Sequence, residues 1–230
     1  MKILCVADHI DPRIYSCSAK ERYKDIGLVL SAGDLPMRYH NFIMGCLNKP
    51  LLFIFGNHNL KYLSLFKKDP RAQQFENPEM IKRQKALGGT HIHSRLIKER
   101  GVLVAGLGGS KWYNGGVNQF TEFKMWINII KLIPKLLLSK LINGRYLDIL
   151  LTHAAPWHIN DKPDPCHQGF KSFLWFMKTF KPKYLVHGHI HLYELNASRE
   201  QIFHQTRVIN AYDHIIIEVE SEEDDDEVDN

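Results

Sequence analysis

Five apolar runs in this chain each end in a residue able to hold a metal ion. Residues 2–7 lead to Asp8, 27–33 to Asp34, 50–56 to Asn57 and His58, 148–152 to His153, and 184–188 to His189, Ile190 and His191. Short apolar runs closed by glycine or a polar residue read as buried strands. Residues 18–26 and 39–47 read as short helices between the first three, which makes those strands parallel βαβ units. Their C-terminal ends then share one edge of one sheet, where open α/β sheets place their sites. This repetition narrows the chain to an α/β fold with a polar cluster along a strand-end edge.

The last run is the most specific. His187, His189 and His191 alternate, and alternate side chains of a strand share a face. Where such a strand turns into loop, His189 and His191 can face one point, and Gly188 permits an unusual backbone path there. His187 shares that face but reads as structural. His91 and His93 imitate the pair, yet nothing near them in sequence completes a ligand set, so they read as surface strand. Asp164 and His167, in the loop after His153, are candidates to touch substrate.

The rest of the chain fills in around these ends. Residues 59–89 are polar, contain Pro70 and Pro78, and read as a helical or looped excursion over the site edge. Short strands at 91–93, 96–98 and 102–105 lead into the loop Gly106-Leu107-Gly108-Gly109-Ser110, read as a tight turn. Residues 121–142 have a long helical pattern that Pro134 is expected to kink or break. It reads either as an amphipathic surface helix or as one that meets a membrane surface or a partner. A loop at 154–168 precedes a helix at 170–180. Trp157, Phe170, Phe173, Trp175, Phe176 and Phe180 read as core aromatics rather than base-stacking platforms. Residues 202–210 and 212–219 close the fold as strands, giving one domain over 1–219.

Charge is unevenly spread. Residues 218–230 hold nine acids and no Lys or Arg, which leaves 30 Lys and Arg against 16 acids in the body. The acidic tail, 220–230, reads as disordered and solvated. A basic body suits an anionic substrate such as a phosphate ester or nucleic acid, although general solubility accounts for it equally well. Cys5, Cys17, Cys46 and Cys166 form no CxxC pair and read as reduced thiols. The apolar part of the N-terminus is too short for a signal peptide, and no apolar run is long enough to span a bilayer. The expected location is cytoplasmic.

Together the strand ends offer carboxylates, an amide and imidazoles. Oxygen and nitrogen donors of this kind suit Mn, Fe, Zn or Ni rather than thiolate-seeking metals. Two ions about 3.5–4 Å apart need one ligand that touches both, and they acidify a water between them. Phosphoryl transfer benefits because such ions neutralise charge on the phosphoryl oxygens.

Over nearly its whole length, to about residue 219, the sequence resembles the calcineurin-like metallophosphoesterase superfamily. The resemblance rests on five ordered motifs: an initial Asp8, Gly33-Asp34, Gly56-Asn57-His58, Thr152-His153 and Gly188-His189-Ile190-His191. The glycine loop at 106–110, Tyr113-Asn114-Gly115-Gly116 and the stretch 164–170 look like those of a prokaryotic branch. The resemblance implies a four-layer α/β/β/α sandwich of two mixed β-sheets flanked by helices. It implies one or two divalent transition metals, Mn favoured and Fe, Zn or Ni alternatives, with Asp34 bridging, Asn57, His153 and His189 on one ion, and Asp8 and His191 on the other. His58 would lie beyond the ligands as general acid or phosphate stabiliser. The implied activity is phosphoester hydrolysis, with phosphodiesters favoured, by a metal-activated water. The alternative is a weak or inactive scaffold that uses the fold to bind protein or nucleic acid, as a retromer subunit of this superfamily does.

One position departs from the family pattern. The first motif is usually Asp-x-His, and here Ile10 stands where the histidine would be. His9 comes one residue early and should point to the other side of the strand end. Asp11 is close enough in sequence to reach in from the loop. The first metal position is therefore short of a ligand or differently built.

Overall fold

The computed structural model describes residues 1–66, 82, 87–193 and 198–220. Two large mixed sheets lie face to face. One has β1 (Lys2–Ala7), β2 (Ile26–Ser31), β3 (Leu51–Phe53), β4 (Thr90–His91) and β13 (Asp213–Glu218), in the order β13-β1-β2-β3-β4. The other has β5 (Leu96–Glu99), β6 (Val102–Leu107), β9 (Ile149–Thr152), β10 (Tyr184–His187), β11 (Glu200–Phe203) and β12 (Thr206–Asn210), in the order β11-β12-β10-β9-β6-β5. A small pair, β7 (Ser110–Lys111) and β8 (Gln119–Phe120), stands apart.

The four layers follow from alternation along strands that are apolar on both faces. On β1, Ile3, Cys5 and Ala7 enter the core between the sheets, while Leu4 and Val6 face the outer helices. On β9 and β10, Ile149, Leu151 and Val186 face inward, while Leu150 and Leu185 meet the opposite helical layer. Helices α1 (Ala19–Arg22), α2 (Met37–Leu47) and α3 (Leu63–Phe66) cover the first sheet. Helices α4 (Glu122–Asn143) and α5 (Lys171–Phe180) cover the second. A strand buried on both faces must be apolar throughout, which is why these runs showed no polar alternation.

Several expectations need correction. The first helix is only four residues long, because Ile26 is drawn into β2 opposite Lys2. Pro134 does not break α4, which runs unbroken for 22 residues from its Thr121 N-cap to Gly144, whose φ is 69°. Pro134 and Ile130 lie on the solvent side, so water can satisfy the Ile130 carbonyl that the proline leaves without a donor. The strand expected at 202–210 is a hairpin, β11 and β12, with His204 at φ 53° in the turn. The excursion expected at 59–89 lies largely outside the described residues, as does the acidic tail from residue 221.

An ion pair with a buried carboxylate anchors the strand that carries His153. Asp148, 2% exposed, accepts from Arg145 Nε at 2.8 Å and from Leu103 N at 2.9 Å. Removing Asp148 takes the acceptor from the buried Leu103 N–H and leaves Arg145 to the Gly101 and Asn143 carbonyls. Asp148→Ala is expected to cost about 3 kcal/mol, read as a lower urea midpoint with an unchanged slope.

Candidate metal centre

The predicted ligands arrive from both sheets at one edge. Asp8, Asp34 and Asn57 follow β1, β2 and β3 of one sheet, and His153 and His189 follow β9 and β10 of the other. Asp8, Asp34 and His189 have φ of 64°, 58° and 66°. Three non-glycine residues held in the left-handed region at one place is strain of the kind that gathers at functional sites. The twist redirects each side chain from its strand face into the cleft.

Hydrogen bonds fix what each atom offers. His153 Nδ1 lies 2.8 Å from the Ala32 carbonyl, which can only accept, so Nδ1 carries the hydrogen. His153 Nε2 then faces Asn57 Oδ1 at 3.1 Å and Asp34 Oδ2 at 3.3 Å. Asn57 is turned this way by its Nδ2, which donates to the Tyr113 hydroxyl at 3.4 Å. His189 Nε2 donates to the Cys166 carbonyl at 2.7 Å, leaving Nδ1 as its lone-pair nitrogen. Ligand atoms of Asp34, His153 and His189 all lie within 4.8 Å of one another. Asp34 Oδ1 accepts from His58 N at 2.7 Å, and Asp8 Oδ2 from His189 N at 2.8 Å. Asp8 Oδ1 is buried without a hydrogen-bond partner among the described residues.

Electrostatics agree with this crowding of acceptors. Burial pushes the Asp8 carboxyl up to about 7, with His153 opposing and Asp34 adding to the rise. Burial acts against ionised Asp34 as well, but the charge and hydrogen bond of His153 outweigh it and bring Asp34 down to about 2. Burial alone would lower His153; the Asp34 charge reverses this and lifts it to about 9. A proton on His153 therefore does the work a cation would do among these lone pairs. Burial and the His153 charge push His189 down to about 3, so it stays neutral and able to bind metal.

Backbone space is equally tight. A Cβ on Gly56 would collide with Asp34 Oδ1 and the His153 ring, and one on Gly188 would come within 2.5 Å of Asp8 Oδ2. The glycine loop serves this edge. Gly109 N donates to the Phe55 carbonyl at 2.8 Å, and Asn118 Nδ2 donates to the Gly56 carbonyl at 2.6 Å. It is thus more than a turn between strands, because it braces the segment that presents Asn57.

Residues 1–193 match the family model of the calcineurin-like phosphoesterases. The chain belongs to that family. The fold of this chain is similar to that of TT1561 of Thermus thermophilus, with a TM-score of 0.60, 14% identity, and coverage of 92% of this chain and 89% of that one. It is also similar to GAP50, the anchor in the inner membrane complex of Plasmodium, with a TM-score of 0.50, 11% identity, and coverage of 91% and 70%. No curated protein matches the chain by sequence.

The remaining expected residues are placed unevenly for a calcineurin-like site. His58 is exposed beside the cluster. His191 stands at the rim, its Nδ1 2.7 Å from the Tyr193 hydroxyl and its ring 5.0 Å from that of Tyr212. His9 turns away to Asp213 at 2.6 Å, as its position implied. Asp11 does not reach in: its carboxylate is taken by His214 and by Arg13 N. Ile10 packs against the outer core of the first sheet. Nothing among these three replaces the histidine of the first motif. His187 is buried and bonded to the Gly188 carbonyl and Asn160, a structural role. His91 is no open surface residue, since its ring packs among Phe53, Phe55 and Phe66. Phe170, Phe173, Phe176 and Phe180 are core as expected, whereas Trp157 lies under Lys111 and Lys171 and Trp175 is 37% exposed. His167 sits 5.3 Å from the His189 ring and is oriented by Asp164 at 2.8 Å.

Tyr113, Asn118 and the Cys166 carbonyl orient the cluster without having been singled out for that role. Tyr113 had a signal in the Tyr-Asn-Gly-Gly motif. A backbone carbonyl has none.

Because ligands bind metal deprotonated, an ion held by His153 and Asp8 would have to displace the protons on them. Both are held more tightly than in water, so affinity is expected to rise with pH through about 7 and on toward about 9. Calorimetric titration of Mn at pH 7 in two buffers of different ionisation enthalpy should show proton release, with less released as pH approaches 9.

Proposed function

We propose that the chain is a metal-dependent phosphoesterase that favours phosphodiesters. The observation that carries this reading is the convergence of the buried acceptors Asp34 Oδ2 and Asn57 Oδ1 on His153 Nε2, where a proton is the cation that holds them together, beside the orphaned Asp8 Oδ1. Buried acceptors left facing each other are costly unless a cation lies among them. Asp34, Asn57, His153 and His189 would hold one divalent ion, Mn favoured and Fe, Zn or Ni alternatives. Asp8, Asp34 and His191 would offer a weaker second position, short of the ligand that Ile10 cannot supply.

A divalent ion here would acidify water and neutralise phosphoryl oxygens. The residues of the chain do the rest. Asn57 is oriented by Tyr113, and His189 by the Cys166 carbonyl. His58, on the open side, donates a proton to the leaving oxygen. Among the charges that chiefly shift the titratable ligands, one lysine appears, Lys162 beside His191 at the rim, and none at Asp8, Asp34, His153 and His189. A monoester dianion would need such extra positive charge more than a diester monoanion does. The basic body is compatible with a nucleic-acid substrate, and the expected location is cytoplasmic.

The test is hydrolysis of bis-p-nitrophenyl phosphate and p-nitrophenyl phosphate with Mn, Fe, Zn or Ni. A diester preference in kcat/KM of about tenfold or more is expected. A monoester preference would overturn the diester assignment, and no turnover with any ion would overturn the enzyme reading in favour of a scaffold.

A further inference from the structure

Helix α4 has two apolar faces. Met125, Ile129, Leu132 and Leu136 are fully buried against the second sheet. On the opposite side Phe123, Ile127, Ile130, Leu137 and Leu141 form a second stripe, with Phe123 72% and Leu141 83% exposed. Their spacing keeps them in line along a helix about 33 Å long. Pro134 falls in the same line. The helix would need only one apolar face to pack, so the second calls for something to cover it.

Of the charged residues on α4 and its neighbour α5, all but one are lysines. Lys124, Lys131 and Lys135 border it at helical spacing, and Lys140 lies near the helix end. The one acid of the helix, Glu122, is spent inward, accepting from Lys171 N and Ser172 N at the start of α5. Neighbouring α5 adds Lys171 and Lys178 and has no acid. Trp126 and Trp175 meet at 4.8 Å along the seam between the two helices. Among the described residues no helix is long and apolar enough to cross a membrane.

We propose that this face binds an anionic lipid surface, with α4 lying in the plane of the headgroups. An apolar stripe edged by lysines, with tryptophan beside it, matches the acyl boundary and the negative headgroups at once. Lysine stems can lie along the apolar surface while their ammonium groups reach the phosphates. A second copy of the chain in an antiparallel two-fold contact fits less well, because it would bring the row of Lys124, Lys131 and Lys135 against itself.

Sedimentation of the full chain with vesicles tests this independently of turnover. Wild type is expected to bind phosphatidylcholine vesicles that contain phosphatidylglycerol, to release them as salt rises, and to leave pure phosphatidylcholine vesicles unbound. The double variant Phe123→Glu/Leu141→Glu should lose binding by about tenfold or more. Lys131→Glu and Lys135→Glu should each lose about fivefold. These residues are exposed, so circular dichroism and the thermal midpoint should not move. Wild type remaining in the supernatant with both vesicle types would overturn the proposal. So would a double variant that binds as tightly as wild type, or a salt-stable dimer that the double variant dissolves.

Discussion

Asp34→Asn is expected to lower turnover on a diester by about 10³-fold and to strip the protein of most of its metal. That magnitude takes the charge stabilisation of a metal site as several kcal/mol, at about 1.36 kcal/mol per factor of ten. Asp34 is the residue the site can least replace. Its Oδ1 accepts from His58 N at 2.7 Å while Oδ2 faces His153 Nε2 at 3.3 Å. An asparagine must turn its NH2 toward one of these. Facing His58 N–H it sets donor against donor; facing the cluster it replaces a lone pair and a charge with two hydrogens. Asp34 also supplies the charge that chiefly raises His153 against burial, so its loss alters a second ligand. The measurement is metal content by elemental analysis beside kcat/KM, with circular dichroism to show that the fold survives. A variant that keeps its metal and its rate would remove Asp34 from the centre.

His58→Ala should act differently. A drop in kcat of about 10²–10⁴-fold is expected with metal content unchanged, the range for losing a positioned general acid. His58 holds its place through its backbone N–H on Asp34, a bond that alanine keeps, while the residue is exposed beside the cluster. The loss should be smaller for a p-nitrophenyl ester, whose leaving group needs little help from a proton, than for an alkyl ester. Equal losses on both would assign His58 to holding the phosphate instead of protonating the leaving oxygen. Loss of metal from this variant would make it a support for the ligands.

Legibility of the site varied residue by residue. Asp8, Asp34, Asn57, His153 and His189 could be named because each closes an apolar run, and strand ends are where an α/β sheet changes from core to surface. His191 looked equivalent to His189 by alternation. The strand stops at His187, however, and His189 takes φ 66°, so the period of two no longer governs where His191 points. Asp11 looked available because sequence distance carries no information about His214, which lies 203 positions away and claims it. For α4 the helical pattern left open a surface helix or one that meets a membrane or a partner; only the packing of Met125, Ile129, Leu132 and Leu136 on the second sheet shows which apolar residues are left outside.

Apolar run length was enough for the five strands that lead to Asp8, Asp34, Asn57, His153 and His189, and for the donor types at their ends, because each depends on neighbours within a few residues. Tertiary structure alone decided which strands share a sheet. A run apolar on both faces must be covered twice, but it does not say by what. Strands β1 and β2 belong to one sheet and β9 and β10 to the other, and Ile3, Cys5, Leu28 and Leu30 pack against Ile149, Leu151 and Val186 between them, so the cleft lies between two sheets. Convergence of Asp34 with His153 and His189 depends on that packing and on the left-handed turns at Asp34 and His189, which no short stretch of sequence specifies.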